Sequence, residues 1–201
     1  MSKIKICGVQ YKEEIDFLNL LKPDYIGFVF ATSRRQVDYY KAEELKAYLH
    51  PSIEIVGVFV NHNIEEIIQL VEEGVINLIQ LHGNEDRDYI ENLKRYIRLP
   101  LIKAIQVEEK IELPDVDIDY YLLDKKSERS HGGTGESFNW GLLGRMDKPY
   151  FLAGGIGLDN IEEALGYAPY CIDLSSKVEV SGKKDMHKVK EVIEKVRKRC
   201  G

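Results

Sequence analysis

The chain's 201 residues can bury a substantial core, and one domain spanning residues 1–201 is the expectation. A composition of 44% hydrophobic and 31% charged residues excludes a disordered polymer. With 28 basic against 34 acidic side chains the net charge is −6, which gives no reason to expect nucleic acid or an anionic membrane surface as partner.

Strand-like and helix-like periodicities then alternate. Lys3 to Cys7 reads as a first strand, followed by a helix near Lys12 to Leu21 with Ile15, Leu18 and Leu21 on one face. Pro23-Asp24 turns the chain into a second strand, Tyr25 to Phe30, and a helix from Lys41 to Leu49 stops at Pro51. Glu54 to Val60 is the third strand. Asn63 caps a helix carrying Ile64, Ile67, Ile68 and Val71, which Gly74 ends. Val75 to Leu81 is the fourth strand, with a helix over Glu85 to Tyr96, and Leu101 to Val107 the fifth. The stretch from there to Pro114 is too short for a regular helix. Tyr120 to Asp124 is the sixth strand, before a glycine-rich loop, Gly132-Gly133-Thr134-Gly135. Tyr150 to Ala153 and Tyr170 to Ser175 are the seventh and eighth, each preceding a helix. The last helix runs from about Asp185 to Arg199, and Lys198-Arg199-Cys200 reads as its solvated, dipole-complementing end.

Eight such repeats in one domain predict an α/β fold, a single closed (β/α)8 TIM barrel. It would be compact beside the roughly 250 residues typical of that fold, and the outer helix after strand five is the one open to loss. An open doubly wound sheet is the structural alternative. It would carry Gly-x-Gly-x-x-Gly after the first strand, where this chain has Cys7-Gly8-Val9-Gln10.

Cys7, Cys171 and Cys200 are too few and scattered for a disulfide framework or a zinc cluster. No run approaches the roughly 18 apolar residues of a membrane span. The N-terminus, entering Lys3-Ile4-Lys5-Ile6 directly, lacks a signal-peptide pattern. The expected setting is the cytoplasm.

Chemically useful residues gather just after the strands, where barrel enzymes keep their sites. Gly154-Gly155 and Ser175-Ser176 follow strands seven and eight, where backbone N–H groups near a helix N-terminus commonly hold phosphate. Taken alone, Gly154-Gly155 is as readily a tight turn. Cys7 ends strand one. Most cysteines so placed are inert core fillers, and a thiol serves as a base only when its thiolate is accessible. Asp124 ends strand six beside Lys125-Lys126 and could simply pair with them. Together, across one mouth, Cys7 and Asp124 make a base and an acid for proton transfer. Arg35 can grip a carboxylate bidentately, whereas Arg34 reads as a solvated surface residue. His82 has no partner at metal-ligand spacing, so Gln80 and His82 read as hydrogen-bonding pocket residues and no metal ion is expected. Asn61 is either a brace behind the site or a turn residue.

Lys5-Ile6-Cys7-Gly8, Ser33-Arg34-Arg35-Gln36-Val37, Val56-Gly57-Val58-Phe59-Val60-Asn61 and Gln80-Leu81-His82-Gly83 resemble the phosphoribosylanthranilate isomerase family of tryptophan biosynthesis. So do Gly132-Gly133-Thr134-Gly135 with Phe138-Asn139-Trp140, Leu152-Ala153-Gly154-Gly155-Ile156 and Asp173-Leu174-Ser175-Ser176. Each motif is weak, but their order from residue 3 to about 185 is specific. The resemblance implies a TIM barrel carrying out an Amadori rearrangement of a small phosphosugar-anthranilate substrate. It implies no metal or organic cofactor, with the protein a monomer or homodimer. It casts Cys7 as general base, Asp124 as general acid and Arg35 as the holder of the anthranilate carboxylate. It also implies that Gly154, Gly155, Ser175 and Ser176 hold the phosphate.

One departure stands out. The family pattern Ser-Ser-Gly-Val-Glu is here Ser175-Ser176-Lys177-Val178-Glu179. Lysine at a positive φ would strain the loop by roughly 1–2 kcal/mol; alternatively its ammonium assists the phosphate. Competing readings are a phosphosugar epimerase, which needs a metal set not found here, and the related histidine-pathway isomerase, expected to place an aspartate at Cys7. A non-catalytic phosphosugar sensor is a third.

Overall fold

The structure is a computed structural model and describes residues 2–125, 137–144 and 146–198. Eight parallel strands close into a barrel in sequence order: β1 (Lys3–Cys7), β2 (Tyr25–Val29), β3 (Glu54–Phe59), β4 (Leu78–Leu81), β5 (Leu101–Val107), β6 (Tyr120–Lys125), β7 (Tyr150–Leu152) and β8 (Cys171–Leu174). β1 pairs with β8 in the register Lys5↔Asp173, which leaves the barrel sheet without an edge. The helices α1 (Lys12–Leu21), α2 (Tyr39–Tyr48), α3 (Ile64–Glu72), α4 (Arg87–Tyr96), α5 (Ile161–Gly166) and α6 (Met186–Lys198) follow strands β1 to β4, β7 and β8. The expected TIM barrel is therefore present, and among the described residues no helix connects β5 to β6. The loop Gly132-Gly133-Thr134-Gly135, together with Lys126 and Arg199-Cys200, lies outside the described residues.

Side-chain parity builds two cores. Residues such as Ile4, Ile6, Ile26, Phe28 and Ile79 face outward and pack on the helices. Tyr25, Val56, Val58, Leu78, Ile102, Leu122 and Phe151 point inward and fill the barrel. The floor is an aromatic plug: Tyr120 and Tyr170 lie 4.9 Å apart between ring centroids, and Phe151 sits 5.6 Å from each. Burying a ring such as Phe151 contributes about 1.5–3 kcal/mol. With these rings filling its floor, the barrel interior opens at the C-terminal ends of the strands, where Cys7 and Asp124 line a cavity.

Local boundaries follow capping chemistry. Asn63 accepts from Glu65 N and starts α3, as the sequence suggests. Asp38 and Asp86 do the same for α2 and α4, accepting from Lys41 N and Tyr89 N. α2 therefore starts earlier than Lys41, and α4 later than Glu85. β4 starts at Leu78 rather than Val75, because Val75 and Ile76 are buried in the turn leaving α3. Beyond β8, a 3-10 turn (Ser176–Val178) leads into a small antiparallel hairpin that the sequence does not announce. Its strands are β9 (Glu179–Val180) and β10 (Lys183–Lys184), joined by Ser181 and Gly182, both at positive φ. Among the described residues, no helix is long and apolar enough to cross a membrane.

Candidate active site

At the open end of the barrel lies a cavity of about 800 Å³. Cys7, Arg35, Gln80, His82, Asp124, Gly154, Gly155, Ser175 and Ser176 all line it, so the structure brings every expected site residue to one place. Inward parity does this: Cys7 on β1, Gln80 on β4 and Asp124 on β6 each occupy the last inward positions of their strands.

Cys7 reaches the cavity because β2 presents Gly27 beside it, where a Cβ would stand 2.8 Å from Sγ. Burial pushes its thiol above the ordinary value. The positive charges of Lys5 and Lys184 oppose this without cancelling it, and Asp173 reinforces it. Asp124 is buried, with Oδ2 3.5 Å from His82 Nε2, so a histidine stands beside it as well as the adjoining Lys125. Gln80 Nε2 lies 2.8 Å from His82 Nδ1. Gly154 takes φ +83°, and a Cβ there would stand 2.8 Å from Asp124 Oδ1 and 2.9 Å from Lys125 N.

Arg35 is already engaged. Its Nε and Nη2 donate to Glu179 Oε1 and Oε2 at 2.7 and 3.0 Å. Glu179 also accepts from Lys184 Nζ at 2.6 Å and from Arg34 Nη2 at 3.0 Å. Arg34 is thus exposed, as expected, yet it shares this ion cluster. Burial works to raise Glu179, but the hydrogen bond from Arg35 and the nearby Lys184 outweigh it and hold the carboxyl below its usual value. Burial lowers Lys184 despite that partner.

Gly154 and Gly155, both at positive φ, turn the chain after β7, and Asn160 ties that turn by accepting from Gly157 N and donating to Gly155 O. Helix α5 begins only at Ile161, and a 3-10 turn follows Ser175. The N–H groups of Gly154 and Gly155 therefore belong to a turn just ahead of the α5 N-terminus, whose N-cap residue Asn160 is bonded to Gly155 O. Ser175 Oγ donates to Cys7 O at 3.2 Å, closing the barrel seam between β8 and β1. Lys177 is absent from the described residues with positive φ, which removes the strain alternative; its Nζ pairs with Asp159 at 2.9 Å on the cavity wall. Asn61, at φ +47°, braces the site: its Oδ1 accepts from Asn84 N just beyond His82.

Sequence reasoning overlooked four charged residues here. Lys5, on β1, is fully buried, and its ammonium donates to Asp173 Oδ2 at 3.0 Å and to Gln80 Oε1 at 2.8 Å. Burial disfavours the Lys5 charge, but Asp173 and Cys7 more than compensate and raise its hold on the proton. Burial in turn raises Asp173 against the pull of Lys5. Glu179, itself paired with Lys184, clamps Arg35. For Lys5 a signal was present: in Lys3-Ile4-Lys5-Ile6-Cys7 the isoleucines take the outward parity, which leaves a lysine pointing into a sealed interior. Asp173 could have been found by the same parity on β8, two residues after Cys171. Glu179 and Lys184 carried no such mark, because only the unannounced hairpin turns them inward.

A family model described as N-(5'-phosphoribosyl)anthranilate (PRA) isomerase matches residues 4–195. The N-(5'-phosphoribosyl)anthranilate isomerase of Endomicrobium trichonymphae is 46% identical over 198 residues, covering 98% of this chain and 99% of its own. Among solved structures, the phosphoribosyl anthranilate isomerase of Thermus thermophilus superposes with a TM-score of 0.86 at 32% identity, covering 98% of this chain and 99% of that one. Another, a phosphoribosyl anthranilate isomerase in complex with reduced 1-(o-carboxyphenylamino)-1-deoxyribulose 5-phosphate, gives 0.77 at 26% identity, covering 98% and 100%. Barrel, cavity and full-length similarity agree, and the chain belongs to the N-(5'-phosphoribosyl)anthranilate isomerase family.

Proposed function

We propose that this protein converts N-(5'-phosphoribosyl)anthranilate into 1-(2-carboxyphenylamino)-1-deoxyribulose 5-phosphate, the Amadori rearrangement of tryptophan biosynthesis, with Asp124 as general acid and Cys7 as general base. The observation that carries this reading is the convergence of a thiol and a carboxyl, from strands three places apart around the barrel, on one cavity. The unpaired thiols of Cys7 and Cys171 support a reducing, cytoplasmic setting.

The substrate is anionic at both ends, and the rim suits both. Glu179 engages Nε and one Nη2 N–H of Arg35, which leaves the Nη1 edge to take the anthranilate carboxylate as a fork. The turns at Gly154-Gly155 and Ser175-Ser176 offer backbone N–H groups and hydroxyls to the phosphate.

Protonated Asp124 donates to the furanose ring oxygen. The C1–O bond breaks onto that oxygen while the nitrogen lone pair forms C=N⁺. Cys7 as thiolate then takes the proton from C2, and the electrons pass through C1=C2 to nitrogen, which discharges the iminium. Ketonisation closes the cycle: the enol hydroxyl proton passes to Asp124 as Cys7 returns its proton to C1. Burial favours the resting thiol. Cys7 therefore releases its own proton to solvent as the cationic iminium beside it makes the thiolate favourable, and takes one back from solvent once product leaves.

Loss of the fluorescent anthranilate substrate is the test. Cys7→Ala and Asp124→Asn should each lower turnover about 100-fold or more. Near-normal turnover in either folded variant removes that residue from the mechanism, and no substrate loss with the intact protein leaves the sensor reading in its place.

A further inference from the structure

The interior carries one continuous polar chain that the reaction scheme does not use. Asp173 on β8, Lys5 on β1, Gln80 on β4 and His82 just beyond it lead step by step to Asp124 on β6, at 3.0, 2.8, 2.8 and 3.5 Å. Lys5, Gln80 and His82 are all buried, and His82 Nε2 is a buried nitrogen without a hydrogen-bond partner, aimed at the acid.

Donor and acceptor chemistry fixes the direction of this chain. A lysine ammonium only donates, so the Gln80 atom facing it is the carbonyl oxygen. The Gln80 amide nitrogen is then the atom at His82 Nδ1, and because it too only donates, Nδ1 must offer its lone pair. A ring with an accepting Nδ1 carries its proton on Nε2, the atom facing Asp124 Oδ2. A proton on Nδ1 would set two donors against each other at 2.8 Å between two buried side chains.

We infer that Lys5 and Gln80 are positioning residues, which hold His82 as the neutral Nε2–H tautomer so that it donates to Asp124 Oδ2 and leaves Oδ1 to carry the transferable proton. This assignment rests on the acid role of Asp124 proposed above. It gives a buried lysine, otherwise costly inside a barrel, a task in the reaction. At 3.5 Å the contact is long for a hydrogen bond, and it should tighten in the Michaelis complex.

Two measurements test it. In ¹⁵N-histidine-labelled protein, assigned by His82→Gln, His82 Nδ1 should be pyridine-like and Nε2 pyrrole-like near neutral pH. A pyrrole-like Nδ1 overturns the inference whether or not the protein is active, so its failure is separate from failure of the proposed reaction. Gln80→Glu, the same shape with two acceptors, should pull a proton onto Nδ1 and lower kcat about tenfold or more with KM nearly unchanged. In the His82→Gln background, whose amide supplies a donor toward Asp124 with no tautomer to set, the same substitution should cost less than about threefold. Equal losses in the two backgrounds overturn the inference, and if Gln80→Glu fails to fold, the ¹⁵N spectrum of the intact protein decides alone.

Discussion

Gly154→Ala is a demanding probe of the site, since one methyl group meets two constraints at once. Position 154 sits at φ +83°, where an L side chain costs roughly 1–2 kcal/mol. For a chain of this size each kcal/mol lowers Tm by about 2–4 °C, so a loss of roughly 2–8 °C is expected. The added Cβ would also stand 2.8 Å from Asp124 Oδ1, and the carboxyl must withdraw about 0.6 Å to reach the 3.4 Å of an ordinary contact. Misplacing a reacting group by about 1 Å can cost 100-fold, so a shift of this size should reduce kcat roughly tenfold. Substrate fluorescence gives kcat and a thermal melt gives Tm. Gly144→Ala, where a Cβ meets nothing within 4 Å, serves as control. A Gly154→Ala protein that melts within a degree of the parent and turns over at its rate would refute the placement of Asp124 against this turn.

The raised thiol makes a second expectation with a definite sign. Below its pKa the thiolate fraction of Cys7 grows tenfold per pH unit, so alkylation by iodoacetamide, followed on the Cys7 peptide, should accelerate about that much per unit from pH 7 to 9. A rate already level at pH 7 would show a depressed thiol instead. Arg35→Lys keeps a charge for Glu179 but loses the fork, and KM should rise about tenfold, some 1.4 kcal/mol, with kcat little changed. An unchanged KM would move the carboxylate elsewhere. Lys5→Met leaves Asp173 buried without its cation and should destabilise by about 3–5 kcal/mol in urea melts. Adding Asp173→Leu should recover much of that loss, and a double variant as weak as the single one would count against the pair.

The sequence made the barrel legible wherever periodicity and punctuation agreed. β1, α1 and β5 have the ends the alternating pattern assigns, because turn residues bound each run. Val75 and Ile76 misled for a physical reason: a short apolar run looks the same whether it enters a strand or packs in a buried turn. Glu85, read as the first residue of a helix, is instead a buried carboxylate. It accepts from Asn61 N and Gly83 N and pairs with Lys103, lashing the loops after β3 and β4 together. Within the site, strand-end position revealed Cys7, Asp124 and Gln80, since it depends only on local spacing. The partners that orient them were hidden, because Lys5 with Asp173 spans 168 residues and Arg35 with Glu179 spans 144.

The hairpin of β9 and β10 looks from outside like an inviting place to splice in a tag or lengthen the chain. Ser181 and Gly182 form a tip where a Cβ on the glycine meets nothing within 4 Å. Yet Glu179 and Lys184, one on each arm, are joined to each other, and Glu179 also holds the guanidinium of Arg35. An extra residue in either arm would turn one of those side chains to the opposite face. Drift in this stretch is therefore confined to the identity of residues at the bend, and its length is as fixed as that of a barrel stave.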